Sequence, residues 1–454
     1  MNRSPRRTAE PSAGFVCALL FMLWPAPTRA QEVRLITLDP GHFHASLVQK
    51  LMYPQVDPAV HVYAPDGPDL REHLARVESY NSRADSPTHW QEIVYSKPDF
   101  LEEMIRQKAG NVVVLAGNNR RKTEYIDRSI KAGFNVLADK PMAINPGEFA
   151  LLRDDLALAA RSKLLLCDIM TERCEITTIL QRELARSPIF GALSSVAMES
   201  VHNFYKEVSG KPLIRPAWFF DVRQEGEAIP DVGTHLVDLV QWECFPERAL
   251  DWQKDIHVIS ARRWATELTP AQFQRVTGQA QFPDCLRDSV NASGHLNVFQ
   301  NGEVNYTICG IPAKVTARWE FEAPPGGGDT HYSQLIGSRA ILTIRQGKDE
   351  HYQPELYVEK NSGMNSDHEF ESALRAVVAR LCKTWPGLEV KGNGGGYQII
   401  IPDKYRVGHE AHFAQVTEEY LRFLAEGQTP AWVVPNLLAK YYTTTEAWRL
   451  SHAH

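Results

Sequence analysis

The sequence predicts an α/β protein with an N-terminal parallel sheet and a C-terminal α+β domain built on a large, open and mainly antiparallel sheet. Residues 33–168 alternate short apolar runs with helical patterns, which is the order of a parallel sheet covered by helices on both faces. Beyond about Cys167 apolar residues alternate over longer stretches, such as Lys314–Glu322 and Ala340–Arg345. That pattern is typical of an antiparallel sheet with one covered face.

The predicted elements of the first region follow one another in regular order. Its six strands are Val33–Leu38, Val60–Ala64, Glu92–Tyr95, Asn111–Ala116, Asn135–Ala138 and Lys163–Cys167. Its five helices are Phe43–Leu51, Asp69–Tyr80, Asp99–Gln107, Lys122–Lys131 and Pro146–Ala160, the last with Asn145 as N-cap. Further along, residues 383–408 are predicted to be irregular, and Glu410–Glu426 and Pro435–Ser451 are predicted closing helices.

The first thirty residues have the order of a secretory signal peptide. Arg3, Arg6 and Arg7 precede an apolar run from Gly14 to Trp24, and a small-residue cleavage site ends at Ala30. The apolar run is too short for a membrane anchor, so we expect a periplasmic or secreted mature protein. The adjacent pair of arginines leaves both the general and the twin-arginine export routes open.

Charge and cysteine content exclude several classes of function. The formal net charge is −6, and the leader holds four arginines and one glutamate, so the mature chain is more acidic still. Such a chain is not expected to bind nucleic acid or anionic membrane surfaces. Cysteines after the leader form no Cys-x-x-Cys pair, which argues against a zinc site or a redox dithiol. Export would permit disulfides, but buried free thiols are expected.

The first strand runs into Asp39-Pro40-Gly41-His42-Phe43-His44, where a Rossmann-type dinucleotide-binding fold has its glycine-rich turn. Of the pattern Gly-x-Gly-x-x-Gly only the middle glycine is present, which lets the backbone approach a pyrophosphate. We therefore predict cofactor contacts at Gly41, His42 and Phe43. The two histidines with Asp39 are also possible metal ligands, but we expect their imidazoles to contact cofactor or substrate and predict no metal.

Two further strand ends carry polar residues. Asp66, after the second strand, would accept hydrogen bonds from a ribose and repel a 2′-phosphate, which favours NAD over NADP; alternatively it only forms a turn with Gly67. The fifth strand delivers Asp139 and Lys140 to the edge where parallel sheets bind ligands. Pro141 restricts Lys140 to an extended backbone, so its side chain projects in a fixed direction.

The segment Asp231-Val232-Gly233-Thr234-His235 is a candidate catalytic motif. On a helix, Asp231 and His235 are four residues apart and share a face, so the carboxylate would fix the imidazole tautomer. The alternative is that Asp231 is only an N-cap and His235 a buried core residue.

Together these segments resemble the Gfo/Idh/MocA family of sugar and polyol oxidoreductases. Segment 111–141 matches the family pattern, with Asn119 after a strand and Asp139-Lys140-Pro141 in the place of its Glu-Lys-Pro. Segment 231–238 is similar to its Asp-x-Gly-x-His-x-x-Asp. The chain looks closest to exported bacterial members with a distinct oxidoreductase C-terminal domain. The implied division is a signal peptide at 1–30, a dinucleotide-binding domain at 31–168, and a substrate-binding and oligomerisation domain at 169–454.

The resemblance implies a role for each motif. Lys140 would hydrogen-bond the reacting hydroxyl, His235 would take its proton, and Asp231 would orient His235. The nicotinamide side would be lined by Gly117, Asn118 and Asn119, together with Asp139 and Lys140. Candidate substrate contacts are polar or aromatic residues that suit sugar rings: His202, Tyr205, Trp218, Phe219, Asp221, Asp329, His331 and Tyr332.

The predicted function is an exported, NAD-dependent oxidoreductase of sugars or glycosides with tightly bound cofactor, forming 3-keto-glycosides. A redox-neutral glycoside hydrolase or lyase uses the same residues and stays open. The third hypothesis is a non-catalytic sugar-binding protein on a degenerate Rossmann scaffold, and the altered glycine turn supports it. Homo-oligomers are common in the family, so a homo-oligomer is expected here.

Overall fold

The structure is a computed structural model that describes residues 33–208, 211–362 and 366–453. The predicted signal peptide lies outside these residues. The first domain contains β1 (Leu35–Leu38), β2 (Ala59–Tyr63), β3 (Gln91–Tyr95), β4 (Val112–Leu115), β5 (Asn135–Asp139) and β6 (Leu166–Ile169). They form one sheet in the order β3-β2-β1-β4-β5-β6, and every neighbouring pair is parallel. The predicted Rossmann-type sheet is confirmed.

Five helices connect these strands: α1 (His44–Leu47), α2 (Pro68–Ser82), α3 (Phe100–Gln107), α4 (Lys122–Ala132) and α5 (Pro146–Ser162). Four are close to their predicted bounds. The exception is α1, which was predicted over Phe43–Leu51 and keeps only four residues. The predicted cap of α5 is confirmed, because the Asn145 side chain accepts a hydrogen bond from the Glu148 amide at 3.1 Å.

A second sheet of nine strands follows in the order β10-β11-β12-β7-β13-β14-β15-β17-β16. Only β7 and β12 pair in parallel, so the predicted mainly antiparallel sheet is confirmed. Its strands are β7 (Leu193–Tyr205), β10 (Ile256–Leu268), β11 (Leu296–Ile308), β12 (Ile311–Glu322), β13 (Thr330–Gly337), β14 (Ala340–Arg345), β15 (Glu355–Lys360), β16 (Glu389–Asn393) and β17 (Gly396–Ile400). Strands β8 (Glu207–Val208) and β9 (Lys211–Pro212) form a separate pair.

The prediction that residues 383–408 are irregular was wrong. This segment contains the hairpin of β16 and β17, whose turn includes Gly394 in a left-handed conformation with φ 54°. The glycine run was interpreted as a loop signal when it is a tight turn between β16, at the edge of the sheet, and its neighbour β17.

The remaining helices are α6 (Ile176–Ala185), α7 (Val232–Cys244), α8 (Pro270–Thr277), α9 (Asp367–Leu381), α10 (His409–Glu426) and α11 (Val433–Ser451). Helices α6 and α7 pack on the second sheet. The last two helices also complete the first domain, since Phe413 and Tyr420 of α10 and Leu437 and Tyr441 of α11 lie in its hydrophobic cores. The first domain is therefore assembled from both ends of the chain.

A buried ionic network joins these parts. The Lys440 ammonium on α11 lies 2.6 Å from Asp168 Oδ2 and 2.7 Å from Asp238 Oδ1. Arg173 donates two hydrogen bonds of 2.6 Å to the same Asp238 carboxylate on α7. Asp238, the last residue of the predicted catalytic motif, therefore fixes α7 against the rest of the protein.

Two smaller observations concern the described residues. The six cysteines from Cys167 to Cys382 are free thiols, but only Cys167 is fully buried and the other five are half-buried, so the expected burial holds for one of them. No helix in this part of the chain has the length and apolar character needed to cross a bilayer.

Candidate active site

Lys140 lies immediately after β5, at the carboxyl edge of the parallel sheet. Its ammonium donates a short hydrogen bond to Asp231 Oδ1, and both side chains are largely buried. Burial alone lowers the pKa of Lys140, but the Asp231 and Asp139 carboxylates outweigh burial and raise that pKa above its usual range. The lysine is held as a cation, suited to stabilise negative charge on a ligand oxygen.

His235 lies on the first turn of α7, near Lys140. Burial and the Lys140 charge hold the pKa of its imidazole well below the usual range, so the ring is neutral and can accept a proton. The predicted Asp231–His235 pair is not formed, and His235 Nδ1 has no hydrogen-bond partner among the described residues. Asp231 occupies the N-cap position of α7 with non-helical backbone angles, so its carboxylate turns to Lys140 instead.

The altered glycine turn keeps the close approach of two loops. A Cβ on Gly117 would lie 2.5 Å from the Asp39 carbonyl oxygen, and one on Gly41 would lie 3.3 Å from the Asn118 amide. The first contact has no room for a side chain. Asp39 adopts φ 48° in place of a glycine, and its carboxylate accepts a 2.8 Å hydrogen bond from Tyr125.

Burial raises the pKa of Asp39, against the hydrogen bond from Tyr125, which disfavours the charged form of this carboxyl. The amides of Gly41 and His42 both donate to the Ala116 carbonyl at 3.2 Å. The turn is thus anchored to the loop after β4, and the Asp39 carboxylate points to α4.

Two histidines of the turn meet Asp139, not Asp39 as the metal alternative had assumed. His44 Nδ1 lies 2.9 Å and His42 Nδ1 3.4 Å from Asp139 Oδ2. His44 Nε2 lies 3.2 Å from Nε2 of His409 at the start of α10. Burial alone raises the pKa of Asp139, but His44 and His42 outweigh it and hold that pKa well below its usual range. These four side chains are called the histidine cluster below.

The far side of the turn faces α2. Asp69 Oδ2 accepts a 3.1 Å hydrogen bond from Trp218 Nε1, which links the two domains beside Gly41. A cleft with an empty volume of about 230 Å³ lies along this side of the turn. Asp66 lies further out, with a side chain that is 73% exposed and 3.0 Å from Arg71. The acid beside the turn is therefore Asp69, which the sequence reading had not selected.

A loop of the second domain covers the predicted nicotinamide side. Asn118 Nδ2 donates to Gln224 Oε1 at 2.7 Å, and the Asn119 amide donates to the Gln224 carbonyl at 2.8 Å. Asp221 shapes this loop by accepting a hydrogen bond from the Gln224 side chain at 3.0 Å. Burial and the neighbouring Asp231 carboxylate hold the pKa of Glu225, in the same loop, well above its usual range.

The second sheet contributes a polar group at the site. His202 Nδ1 lies 3.3 Å from Asp329 Oδ2, and Lys206 Nζ lies 2.6 Å from the same oxygen. His331 is close enough to His202 to feel its charge; burial and that charge lower the pKa of His331 to about 4. Burial raises the pKa of the Glu172 carboxyl, and the charges that oppose this shift include that of Lys140. This carboxyl lies between the domains.

Other predicted substrate residues lie elsewhere. Tyr205 packs under the Arg275 guanidinium, which is 3.6 Å from its ring centre. Phe219 belongs to a buried aromatic core, and Tyr332 is 37% exposed. Trp218 packs against the same aromatic core and donates its indole N–H to Asp69 beside the glycine turn. These aromatic residues are not gathered around Lys140.

Besides Asp69, sequence reasoning missed four polar residues of the site. Lys122 donates a 3.1 Å hydrogen bond to the Asp139 carbonyl and another to Asn119. The others are Glu172, Glu225 and His409. Glu172 follows the carboxyl end of β6, so the rule that found Lys140 would also have found it. No local signal marks the other three, since long-range packing brings them in.

The residues fit a dinucleotide cofactor. The sheet order, the close approach of Gly41 and Gly117, and a cationic Lys140 at the end of β5 are the parts that such a cofactor requires. Asp69 is the residue that does not suit a dinucleotide, because a carboxylate beside the glycine turn repels phosphate.

Comparison with known proteins gives the family. A model of the family described as "Putative oxidoreductase C terminal domain" matches residues 180–452, more than half of the chain. The chain belongs to this family. It is an oxidoreductase of the Gfo/Idh/MocA type, as the sequence motifs indicated. No curated protein matches it.

Three solved structures are similar to this oxidoreductase. A protein described as a "putative oxidoreductase" from Parabacteroides merdae is 51% identical, with a TM-score of 0.91 over 93% of this chain and 98% of that one. A levoglucosan dehydrogenase in complex with NADH and levoglucosan is 13% identical, with a TM-score of 0.60 over 92% and 97%. A 3-ketoreductase from Actinomadura kijaniata in complex with NADP is 13% identical, with a TM-score of 0.55 over 92% and 97%. The last two share the fold.

Proposed function

We propose that this oxidoreductase is an exported NAD(H)-dependent dehydrogenase that oxidises a secondary hydroxyl of a sugar or glycoside, with the 3-keto-glycoside as product. The observation that carries the proposal is the buried pairing of Lys140 with Asp231 beside a neutral His235 at the carboxyl edge of β5. A binding protein has no need of a buried cation and a neutral base side by side.

The two residues divide the work of removing a proton. Lys140 donates a hydrogen bond to the hydroxyl oxygen and stabilises the negative charge that develops there. His235 accepts the hydroxyl proton, and its low pKa keeps it ready to do so at neutral pH. Asp231 is a positioning residue that holds the Lys140 ammonium in place. When bound, NAD supplies the hydride acceptor.

Residues at the turn and at the loop after β4 would hold the cofactor. Gly41 and Gly117 give the backbone its close approach, and Asn119 lies at the nicotinamide side. NAD is preferred over NADP in this proposal because Asp69 and Asp66 place negative charge along the cleft, although Arg71 offsets that of Asp66. The dehydrogenase that binds NADH and levoglucosan supports NAD and a sugar; the 3-ketoreductase binds NADP.

Export explains why the cofactor should be tightly held. Free nicotinamide cofactors are scarce outside the cytoplasm, so an exported enzyme must carry its own, and the NADH formed would be reoxidised within the site by hydride transfer to a second, carbonyl-containing substrate. The loop that joins Gln224 to Asn118 and Asn119 covers the nicotinamide side and favours retention.

Glu172 favours a second candidate, a redox-neutral glycoside hydrolase or lyase. Burial raises the pKa of its carboxyl, and its charged neighbours include His202 and Lys140. A protonated carboxyl can donate to the oxygen of a leaving group, and elimination from a transient 3-keto sugar requires such a donor. Oxidation, elimination and re-reduction would leave the cofactor unchanged.

Mass spectrometry of the nucleotide released on denaturation tests the proposal. The purified mature protein is incubated with a panel of glycosides and levoglucosan, then denatured, and nucleotide and sugar products are identified. We expect stoichiometric NAD that becomes NADH as a keto sugar appears. Cleaved glycoside with unchanged NAD favours the hydrolase. Absence of bound nucleotide, even after incubation with excess NAD, overturns both and leaves a binding protein.

Variants assign the roles. His235→Asn should lower the rate of hydride transfer by ~10²–10⁴-fold, the range for loss of a positioned base. Lys140→Ala should have a similar effect, and the exposed His257→Asn and Lys254→Ala serve as matched controls. If His235→Asn keeps the native rate in single-turnover measurements, the assignment of the base is wrong.

A further inference from the structure

The histidine cluster contains a group of potential metal ligands beside the proposed dehydrogenase site, and of these Asp139 also acts on Lys140 through its charge. Within the described residues, His42, His44 and Asp139 are three side chains whose ligand atoms all lie within 4.8 Å of one another. Both imidazoles direct Nδ1 at a single carboxylate oxygen, at 3.4 Å and 2.9 Å. Dehydrogenation by Lys140 and His235 does not require this arrangement.

We propose that His42, His44 and Asp139 form a binding site for one divalent transition-metal ion of the zinc class. An ion ~2.1 Å from each donor, with angles between 90° and 110°, separates neighbouring donors by roughly 3.0–3.4 Å. The two measured separations between imidazole nitrogen and carboxylate oxygen, 3.4 Å and 2.9 Å, are close to that range.

His409 supplies the second feature of a metal site. When His44 ligates through Nδ1, its Nε2 carries a proton and needs an acceptor. His409 Nε2 lies 3.2 Å away and can accept that proton. Histidine ligands usually donate their other N–H to such a partner, which fixes the ring orientation and the tautomer. His409 is thus a positioning residue that orients His44.

The donor set and its exposure select the class of ion. Two imidazoles and one carboxylate suit zinc and its first-row neighbours, whereas calcium and magnesium prefer oxygen donors alone. The side chains of His44 and Asp139 are 10% and 6% exposed, but that of His42 is 32% exposed. The site therefore opens on the His42 side, as in zinc sites that keep one coordination position for water or substrate.

Metal titration of the nucleotide-free protein tests the proposal. The mature chain is stripped with a chelator, loaded with Zn²⁺ and dialysed, and its zinc is measured by mass spectrometry. Co²⁺ in place of zinc gives a visible spectrum that reports imidazole coordination. We expect one ion per chain, a Co²⁺ spectrum of low coordination number, and a melting temperature that rises with free zinc.

The variants separate a site from adventitious binding. His42→Ala and Asp139→Asn should abolish the stoichiometric ion, His409→Gln should weaken it by ~10–100-fold, and the exposed His89→Ala should leave it unchanged. No retained ion, or an ion equally retained by His42→Ala, overturns the proposal and leaves a hydrogen-bonded cluster. His42 is partly exposed, so that variant should fold and can decide alone. Because no nucleotide or sugar is present, failure here leaves the dehydrogenase proposal standing, and the reverse also holds.

Discussion

The buried ion network predicts a large effect of Lys440→Met. The Lys440 side chain is 1% exposed and its ammonium lies between the Asp168 and Asp238 carboxylates, at 2.6 Å and 2.7 Å. Methionine has a similar volume, so the substitution removes a charge and leaves little cavity. Two buried carboxylates then share the single Arg173 guanidinium. Leaving a buried charge without its partner destabilises a protein by about 3–5 kcal/mol.

Thermal unfolding followed by circular dichroism measures this loss. For a chain of this size we expect the Tm to fall by roughly 3–6 °C. The defect should shrink as the pH is lowered, because Lys440 is one of the charges that lower the pKa of Asp238; without it that pKa is higher in the folded state, and protonation then removes uncompensated charge. The matched double variant Lys440→Met with Asp168→Asn restores charge balance and should recover most of the Tm.

Activity provides the second measurement, since Asp238 holds α7 and α7 carries His235. Hydride transfer by Lys440→Met should slow well below the melting temperature, and the double variant should regain it. A change in Tm under about 1 °C, or a double variant no better than the single one, would refute the reasoning that charge balance stabilises this network.

Three further predictions concern single positions. Burial, followed by the Asp127 charge, raises the pKa of Asp155 to about 7, so the contribution of this carboxyl to stability is present at low pH and is lost as the pH rises through 7. Asp155→Asn should therefore stabilise the fold by about 1–2 kcal/mol at pH 8 and have little effect at pH 4, as measured by thermal unfolding. Asp69→Asn keeps an acceptor for the Trp218 indole but removes a charge beside the glycine turn, so calorimetry should show NAD binding about 3- to 10-fold tighter; unchanged affinity would mean that no phosphate approaches Asp69. Gly117→Ala brings a Cβ within 2.5 Å of a backbone oxygen and should abolish nucleotide binding, whereas Gly67→Ala, with open space at its Cβ, should bind as the native protein does.

The first sheet was predictable because its central strands, such as β1 and β4, are buried and continuously apolar or nearly so, whereas the edge strand β3 is largely exposed. Parallel strands that are covered on both faces must be apolar along nearly their whole length, and the carboxyl edge of such a sheet binds ligands. These two rules are sufficient to place Lys140 and Asp139 at the site. The same reading overextended α1, since an apolar periodic run from Phe43 to Leu51 was interpreted as a continuous helix.

The partner of Asp231 was not predictable from spacing. Residues four apart share a face only when both lie inside a helix. Asp231 is the N-cap, with φ −77° and ψ −84°, so it lies outside the regular helix and the spacing rule does not apply to it. Its partner Lys140 comes from the other domain, and the position of a second domain is set by packing across an interface that no local pattern encodes.

The histidine cluster shows the same limit on a larger scale. The turn between β1 and α1 was recognised as a site of histidines, and its carboxylate was sought nearby, at Asp39. The structure brings Asp139 from β5 and His409 from α10. The first of these is foreseeable because β1 and β5 end at the same carboxyl edge, separated only by β4, whereas the second depends on a helix that returns from the far end of the chain.

That returning helix has a consequence for biosynthesis. The cores beneath the first sheet include Phe413 and Tyr420 of α10 and Leu437 and Tyr441 of α11, so they stay incomplete until the last residues have been made. Translation at ~5–20 residues per second makes the delay between Ile169 and His409 on the order of ten seconds or more. We expect a nascent chain with this layout to expose apolar surface for that whole interval, which makes it a candidate for binding by a holding chaperone. The N-terminal domain is therefore the first to be translated and the last whose hydrophobic cores are completed.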